Sequence, residues 1–172
     1  LGAGPIGLLV GLWLQGFGAR QVVMADVRAK SLSIAREIGF EQVVNPEAKG
    51  WDDLPRFDAT FEAAGARAAL LDAIDRTNHK GTLTVVGRDT DDTSIPLESF
   101  ERLMRKELTI SGCWGYKMAR ERRFVRQILS QHRFPLEHLI SHEVSLDEAP
   151  GMIQAMAEQR IHYCKVLINL MD

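Results

Sequence analysis

Leu1-Gly2-Ala3-Gly4-Pro5-Ile6-Gly7, followed by an apolar stripe at Ile6, Leu9, Val10, Trp13 and Phe17, decides the fold of this chain. The stripe has the i, i+3, i+4 spacing of one buried helix face, and Gly16 and Gly18 end it. A helix opened by Gly-x-Gly-x-x-Gly has a specific use. The first glycine permits a tight turn, the second lets the backbone approach a pyrophosphate, and the third allows close helix–strand packing. The helix N-terminus then presents unpaired N–H groups and a partial positive charge to the anion. Gly2, Gly4, Pro5, Ile6 and Gly7 are therefore candidate dinucleotide-binding residues.

Asp26 stands nineteen positions after Gly7, at the end of the apolar run Gln21–Ala25. A carboxylate there accepts hydrogen bonds from the ribose hydroxyls of NAD and repels the 2′-phosphate of NADP, so the spacing predicts NAD as cofactor. Val27 and Arg28 follow it into the site. For Arg28 three roles stay open: pairing with a 2′-phosphate, stacking near the adenine, or a solvated arginine at a helix start.

Outward from this corner, strand-sized and helix-sized segments alternate. Gln42–Val44, Ala59–Glu62, Thr82–Val86 and Leu108–Gly112 read as strands, and Ala29–Ile38, Arg67–Arg76, Leu97–Arg105 and Arg120–Gln131 read as helices. This is the rhythm of a doubly wound parallel α/β sheet of the Rossmann type. The two prolines and mixed charges of Asn45–Pro55 predict a loop in place of one crossover helix. Only Leu1 precedes the glycine motif, which normally follows a strand, so the first strand is expected to be truncated and the chain to be a piece of a longer one. After Phe134-Pro135, His142–Ser145 reads as a strand, Ser145-Leu146-Asp147-Glu148 as a capping box opening a helix to about Gln159, and Cys164–Leu170 as a last strand.

Composition narrows the function classes. At 172 residues, 45% hydrophobic and 26% charged, the chain is long enough for a core of its own and carries no membrane-length apolar run. Lys+Arg 21 against Asp+Glu 23 gives a net charge of −2, with no basic field for nucleic acid. The cysteines Cys113 and Cys164 stand alone, without metal-ligand or disulfide spacing, and fit a reducing, cytoplasmic setting.

These stretches, with Phe61-Glu62-Ala63-Ala64-Gly65, Val86-Gly87 and Leu103–Trp114, resemble the zinc-containing medium-chain dehydrogenases over nearly the whole chain. Within them the wording is similar to the sorbitol, threonine and galactitol-phosphate dehydrogenase group, and Arg105-Lys106-Glu107-Leu108-Thr109 is closest to galactitol-1-phosphate dehydrogenases. The resemblance implies that Ala64 and Gly65 border the adenosine half of the cofactor. Val86 and Gly87 then lie near the nicotinamide ribose, and Gly112, Cys113 and Trp114 meet the carboxamide through their backbone. It implies residues 1–139 as the NAD-binding Rossmann domain and 140–172 as the C-terminal segment of a GroES-like catalytic domain whose N-terminal part, with the zinc ligands, is absent. No catalytic residue and no metal ligand is expected in this chain.

The expected chemistry is zinc-assisted hydride transfer from a polyol or a sugar-alcohol phosphate to NAD. Two alternatives are a zinc-free NADPH-dependent reductase on the same fold and a non-catalytic NAD-binding module. The partners expected are a small-molecule substrate and a second copy of the chain, as homodimer or homotetramer through the strand at Leu108–Ser111. The five histidines read as surface or capping residues and Arg120, Arg122, Arg123 and Arg126 as a solvated helix face, while for Lys165 two readings stay open, an approach to the cofactor phosphates and a solvated lysine at a strand edge.

Overall fold

The computed structural model describes residues 1–89, 93–115, 122, 125–126 and 134–170. Helix α1 (Pro5–Gly16) leads to β1 (Val23–Ala25), α2 (Ala29–Glu37) and β2 (Gln42–Val44). Next come β3 (Phe57–Glu62), α3 (Arg67–Arg76), β4 (Thr77–Val85), α4 (Leu97–Arg105) and β5 (Thr109–Gly112). A 3-10 turn at Leu136–Leu139 then precedes β6 (Ile140–Ser145), α5 (Ala149–Ala157) and β7 (Lys165–Asn169). The helix expected at Arg120–Gln131 lies almost wholly outside the described residues.

Among the described residues every strand pair is parallel, in the orders β1-β2, β3-β4-β5 and β6-β7. Leu1 and Gly2 join the first two groups. The Leu1 nitrogen donates to the Phe61 carbonyl at 2.8 Å, the Leu1 carbonyl accepts from Ala63 at 2.8 Å, and Gly2 N–H donates to Ala25 at 2.7 Å. These bonds place Leu1 and Gly2 between the C-terminal ends of β1 and β3. Below them an apolar cleft lined by Val10, Leu14, Met24 and Phe61 separates the two strands.

The buried face of α1 is not the expected one. Gly7, Leu8, Gly11 and Leu12 are buried, whereas Ile6 is 56% and Phe17 is 69% exposed. The helix is apolar almost all round, so periodicity alone does not choose a face, and the small residues choose it. A Cβ on Gly11 would lie 2.7 Å from the Phe40 ring and 2.8 Å from Met24 Sδ, so this face packs at backbone distance. Trp13 packs instead against Phe17 and Phe134, at ring-centre distances of 5.6 and 5.5 Å.

Helix α2 ends as its sequence dictates. Gly39 at φ 104° puts its N–H on Arg36 and that of Phe40 on Ala35, which turns Phe40 into the core beside Leu8, Leu12 and Ala35. Residues 45–56 carry turns and no helix, and Trp51 is buried under the Arg76 guanidinium, 4.8 Å from its ring centre. Strand β4 begins at Thr77, five residues before the expected Thr82. Its register against β3 shifts between Phe57 and Ala59, and Lys80 takes φ 59° within the bulge.

The C-terminal strands form a sheet of their own, while Leu139 and Cys164 pack into the α1–α2 core. The Ser145–Glu148 box is made: Glu148 Oε2 accepts from Ser145 N–H at 2.9 Å, and Ser145 Oγ accepts from Glu148 N–H at 3.4 Å. It closes a turn, and the helix opens after it, at Ala149. Among the described residues no helix is long and apolar enough to cross a membrane.

Candidate functional site

In a parallel sheet each helix that follows a strand starts at that strand's C-terminal edge, and the candidate residues gather there. Gly2 adopts φ 92°, and a Cβ on it would lie 2.7 Å from the Ala64 nitrogen. A Cβ on Gly7 would lie 1.8 Å from the Gly2 carbonyl oxygen, so the third glycine keeps the loop folded on its own first residue. Gly4 differs: nothing stands within 4 Å of where its Cβ would be. It is the N-cap of α1, with Pro5 following, no side-chain cap and no acid in the first turn. The loop therefore offers an open backbone and an unneutralised helix start, the arrangement that fits a dinucleotide pyrophosphate.

Asp26 directly follows β1 beside this loop and is buried. Its Oδ2 accepts from Ala3 N–H at 2.8 Å and its Oδ1 from Arg28 N–H at 2.8 Å. The Arg28 guanidinium forks onto both oxygens, from Nε to Oδ1 at 3.1 Å and from NH2 to Oδ2 at 3.2 Å. Burial pushes this carboxyl up, but the Arg28 side chain and the N–H groups of Arg28 and Ala3 outweigh it and hold the group below the usual carboxylate range. Arg28 is thus no free solvated arginine. Its side chain is 60% exposed while that of Asp26 is 4% exposed, so it lies over the acid as a charged lid.

In front of the loop lies a cavity of about 700 Å³, walled by Gly4, Pro5, Arg28 and Lys30 on one side and by Arg160 and His162 on the other. Its C-terminal wall comes from residues just before β7 and not from Lys165. His162 also departs from the surface reading, since its Nε2 is buried without a hydrogen-bond partner. Burial, with Arg28 and Lys30 nearby, pushes its imidazole down from the ordinary value.

Ala64, Gly65, Val86 and Gly87 form a second group, at the ends of β3 and β4, touching the first through Gly2. Gly112, Cys113 and Trp114 form a third at the end of β5, where Cys113 N–H donates to the Val85 carbonyl at 2.9 Å. Cys113 is exposed and Trp114 is 82% exposed. Two residues that motif spacing does not single out complete the site: Ala3, whose N–H anchors Asp26, and Glu62, which binds the second group together. In sequence Glu62 is only an acid three positions before Gly65, and its burial appears in the structure alone. Among the described residues no group of three or more His, Cys, Asp or Glu side chains is placed to hold a metal ion.

Comparison with known proteins agrees with this geometry. The family model for zinc-binding dehydrogenases matches residues 5–131. The chain is 32% identical over 162 residues to an L-threonine 3-dehydrogenase of Escherichia fergusonii, covering 90% of this chain and 46% of that protein. The structure of galactitol-1-phosphate dehydrogenase from Escherichia coli superposes with a TM-score of 0.86 at 28% identity, covering 98% of this chain and 52% of that one. L-idonate 5-dehydrogenase from Escherichia coli superposes with a TM-score of 0.84 at 25% identity, covering 98% and 48%. The chain spans about half the length of the proteins it matches. With the glycine loop, the buried acid and the parallel sheet all in place, the chain belongs to the zinc-binding dehydrogenase family.

Proposed function

We propose that this chain is the NAD(H)-binding part of a zinc-dependent dehydrogenase that oxidises a polyol or a sugar-alcohol phosphate. The observation that carries the reading is the pairing of an open Gly4 helix start with the buried, ionised Asp26 beside it. Gly2, Gly4, Pro5, Ile6 and Gly7 would hold the pyrophosphate, and Asp26, Val27 and Arg28 the adenosine ribose. Ala64, Gly65, Val86, Gly87, Gly112, Cys113 and Trp114 would border the rest. Bound NAD supplies the hydride acceptor. The chain's own residues bind it, fix its orientation against the strand ends and give Asp26 a stable negative charge. Substrate alignment and zinc ligation belong, in this proposal, to residues outside this chain, and the threonine and galactitol-phosphate dehydrogenase likenesses support a small hydroxylated substrate. Strand β5, an exposed sheet edge, is the surface proposed to pair with a second copy.

Arg28 favours one second reading. Its exposed guanidinium, with Lys30 also on the cavity wall, offers two cations to a 2′-phosphate, as a zinc-free NADPH reductase would need. Fluorescence titration of the whole protein that carries this chain with NADH and with NADPH separates the two. NADH is expected to bind more tightly, and Asp26→Ala to weaken it roughly tenfold or more through loss of charge-assisted hydrogen bonds. Polyol oxidation is expected to stop on chelation. Tighter NADPH binding, or turnover that survives the chelator, would overturn the proposal.

A further inference from the structure

Glu62 is the second buried acid at this edge, 2% exposed, and dinucleotide binding as proposed gives it no role. It is the last residue of β3. Its Oε1 accepts from Ala64 N–H at 2.8 Å and from Gly65 N–H at 2.7 Å, so it organises the loop that follows it. Its main-chain carbonyl accepts from Val86 N–H at 2.7 Å and Gly87 N–H at 2.9 Å, so the same residue also seats the loop after β4. The two loops touch without slack: a Cβ on Gly87 would lie 2.2 Å from the Gly65 nitrogen and 2.6 Å from Glu62 Oε2. On the other side the phosphate loop closes on Ala63 and Ala64, where a Cβ on Gly2 would meet backbone at 2.7 and 2.8 Å.

An acid in such a place needs a reason, because taking a carboxylate out of water is costly unless hydrogen bonds replace the lost hydration. The N–H groups of Ala64 and Gly65 turn toward Oε1, and hydrogen bonds to a charged acceptor are roughly twice as strong as neutral ones. Without that acceptor two inward-facing N–H groups would lose their partner, and the loop would rotate to satisfy them elsewhere. Gly87 would move with it, since its space is shared with Gly65.

We propose that Glu62 is a positioning residue, which locks the loops after β3 and β4 into one arrangement and thereby sets dinucleotide affinity on both the adenosine side, bordered by Ala64 and Gly65, and the nicotinamide-ribose side, bordered by Val86 and Gly87. The inference rests on the dinucleotide reading. Asp26 does the corresponding work at the adenosine ribose, through Ala3 and Arg28. The two acids therefore hold neighbouring loops of one site.

The test compares Glu62→Gln with wild type in three measurements on the whole protein: thermal melting, NADH affinity, and affinity for ADP, which lacks the nicotinamide half. The Gln side chain keeps the shape and one acceptor oxygen but loses the charge. NADH is expected to bind roughly fivefold more weakly and ADP roughly threefold more weakly, since ADP keeps the half that Ala64 and Gly65 border, with melting nearly unchanged. No change in either affinity, or weakening only in step with a lower melting temperature, overturns the proposal and leaves Glu62 a structural residue. Should Glu62→Gln fail to fold, Glu62→Asp takes the same two titrations, and failure of both to fold also overturns it. A wild-type protein that binds neither NADH nor NADPH would instead remove the dinucleotide reading itself.

Discussion

The two ends of the parallel strands β1 to β5 solve one problem in opposite ways. At the C-terminal edge α1, α2 and α3 begin at Gly4, Arg28 and Ala66, none with a side-chain cap. The buried acids there, Asp26 and Glu62, serve the loops instead. At the N-terminal edge the chain supplies its own cations. Lys106 Nζ donates to the carbonyls of Ile74, Asp75 and Thr77 at 2.9, 2.7 and 3.1 Å, and Arg56 Nε donates to the Asp75 carbonyl at 3.2 Å, so side-chain cations of the chain itself cover the end of α3. Arg102 NH1 holds the Asp75 carboxylate at 2.6 Å. Both edges carry the unpaired backbone groups that every helix terminus leaves. One edge satisfies them within the chain and is a structural cap. The other leaves helix starts open, and that difference, more than any single residue, marks where a ligand's negative charge belongs.

The largest way to break the contrast is Gly7→Ala. The new methyl would sit 1.8 Å from the Gly2 carbonyl oxygen, and backbone must move because no flexible side chain is there to yield. Overpacking of this kind is expected to cost about 3 kcal/mol or more, or a melting temperature lower by roughly 6–12 °C in a domain of this size, with NADH binding lost. A normal melt would show that the loop relaxes freely and that the upper edge is not tightly built.

Lys106→Met tests the other edge. Methionine keeps much of the aliphatic stem and removes the three donated bonds, so about 2 kcal/mol, or roughly 4–8 °C of melting temperature, should go. NADH affinity is expected to stay within about twofold of wild type. If it fell with stability, the lower edge would be coupled to the site and the division between the edges would fail.

How far these edges are legible in sequence follows from the range of their contacts. Arg67–Arg76 and Leu97–Arg105 are helices over the spans their periodicity implies, and Asp26 lies where its spacing from Gly7 puts it. Those signals are local. The start of β4 escapes a local reading because the bulge at Lys80 depends on pairing between Thr77 and Phe57. The face of α1 escapes it because Gly7 and Gly11 carry no hydrophobic signal, and their value appears only once Gly2, Phe40 and Met24 stand opposite. The Lys106 cap joins residues about thirty positions apart, which no local pattern encodes. Glu62 sits within a stretch that carries the family resemblance, yet its chemistry stays hidden there, since a strand-end acid reads as solvated until its burial is known.

The smallest effect, and the sharpest division of the two edges, lies in acid. The Asp26 carboxyl is held below its ordinary value in the folded chain, so the folded state binds its proton less readily than the unfolded state does. Its contribution is therefore fully present above the unfolded value of about 3.8 and is lost as pH falls through the lower folded value. Burial, with the Arg56 charge nearby, pushes the Lys106 ammonium down from 10.5, so any change in its ionisation falls on the alkaline side. The melting difference between wild type and Asp26→Asn should then be flat from about pH 8 to 5 and narrow below about pH 4, while the deficit of Lys106→Met stays constant over the same range. A difference for Asp26→Asn that persisted unchanged into strong acid would mean that the carboxylate charge is not what orders the Ala3 and Arg28 backbone, and shape alone would then account for the upper edge.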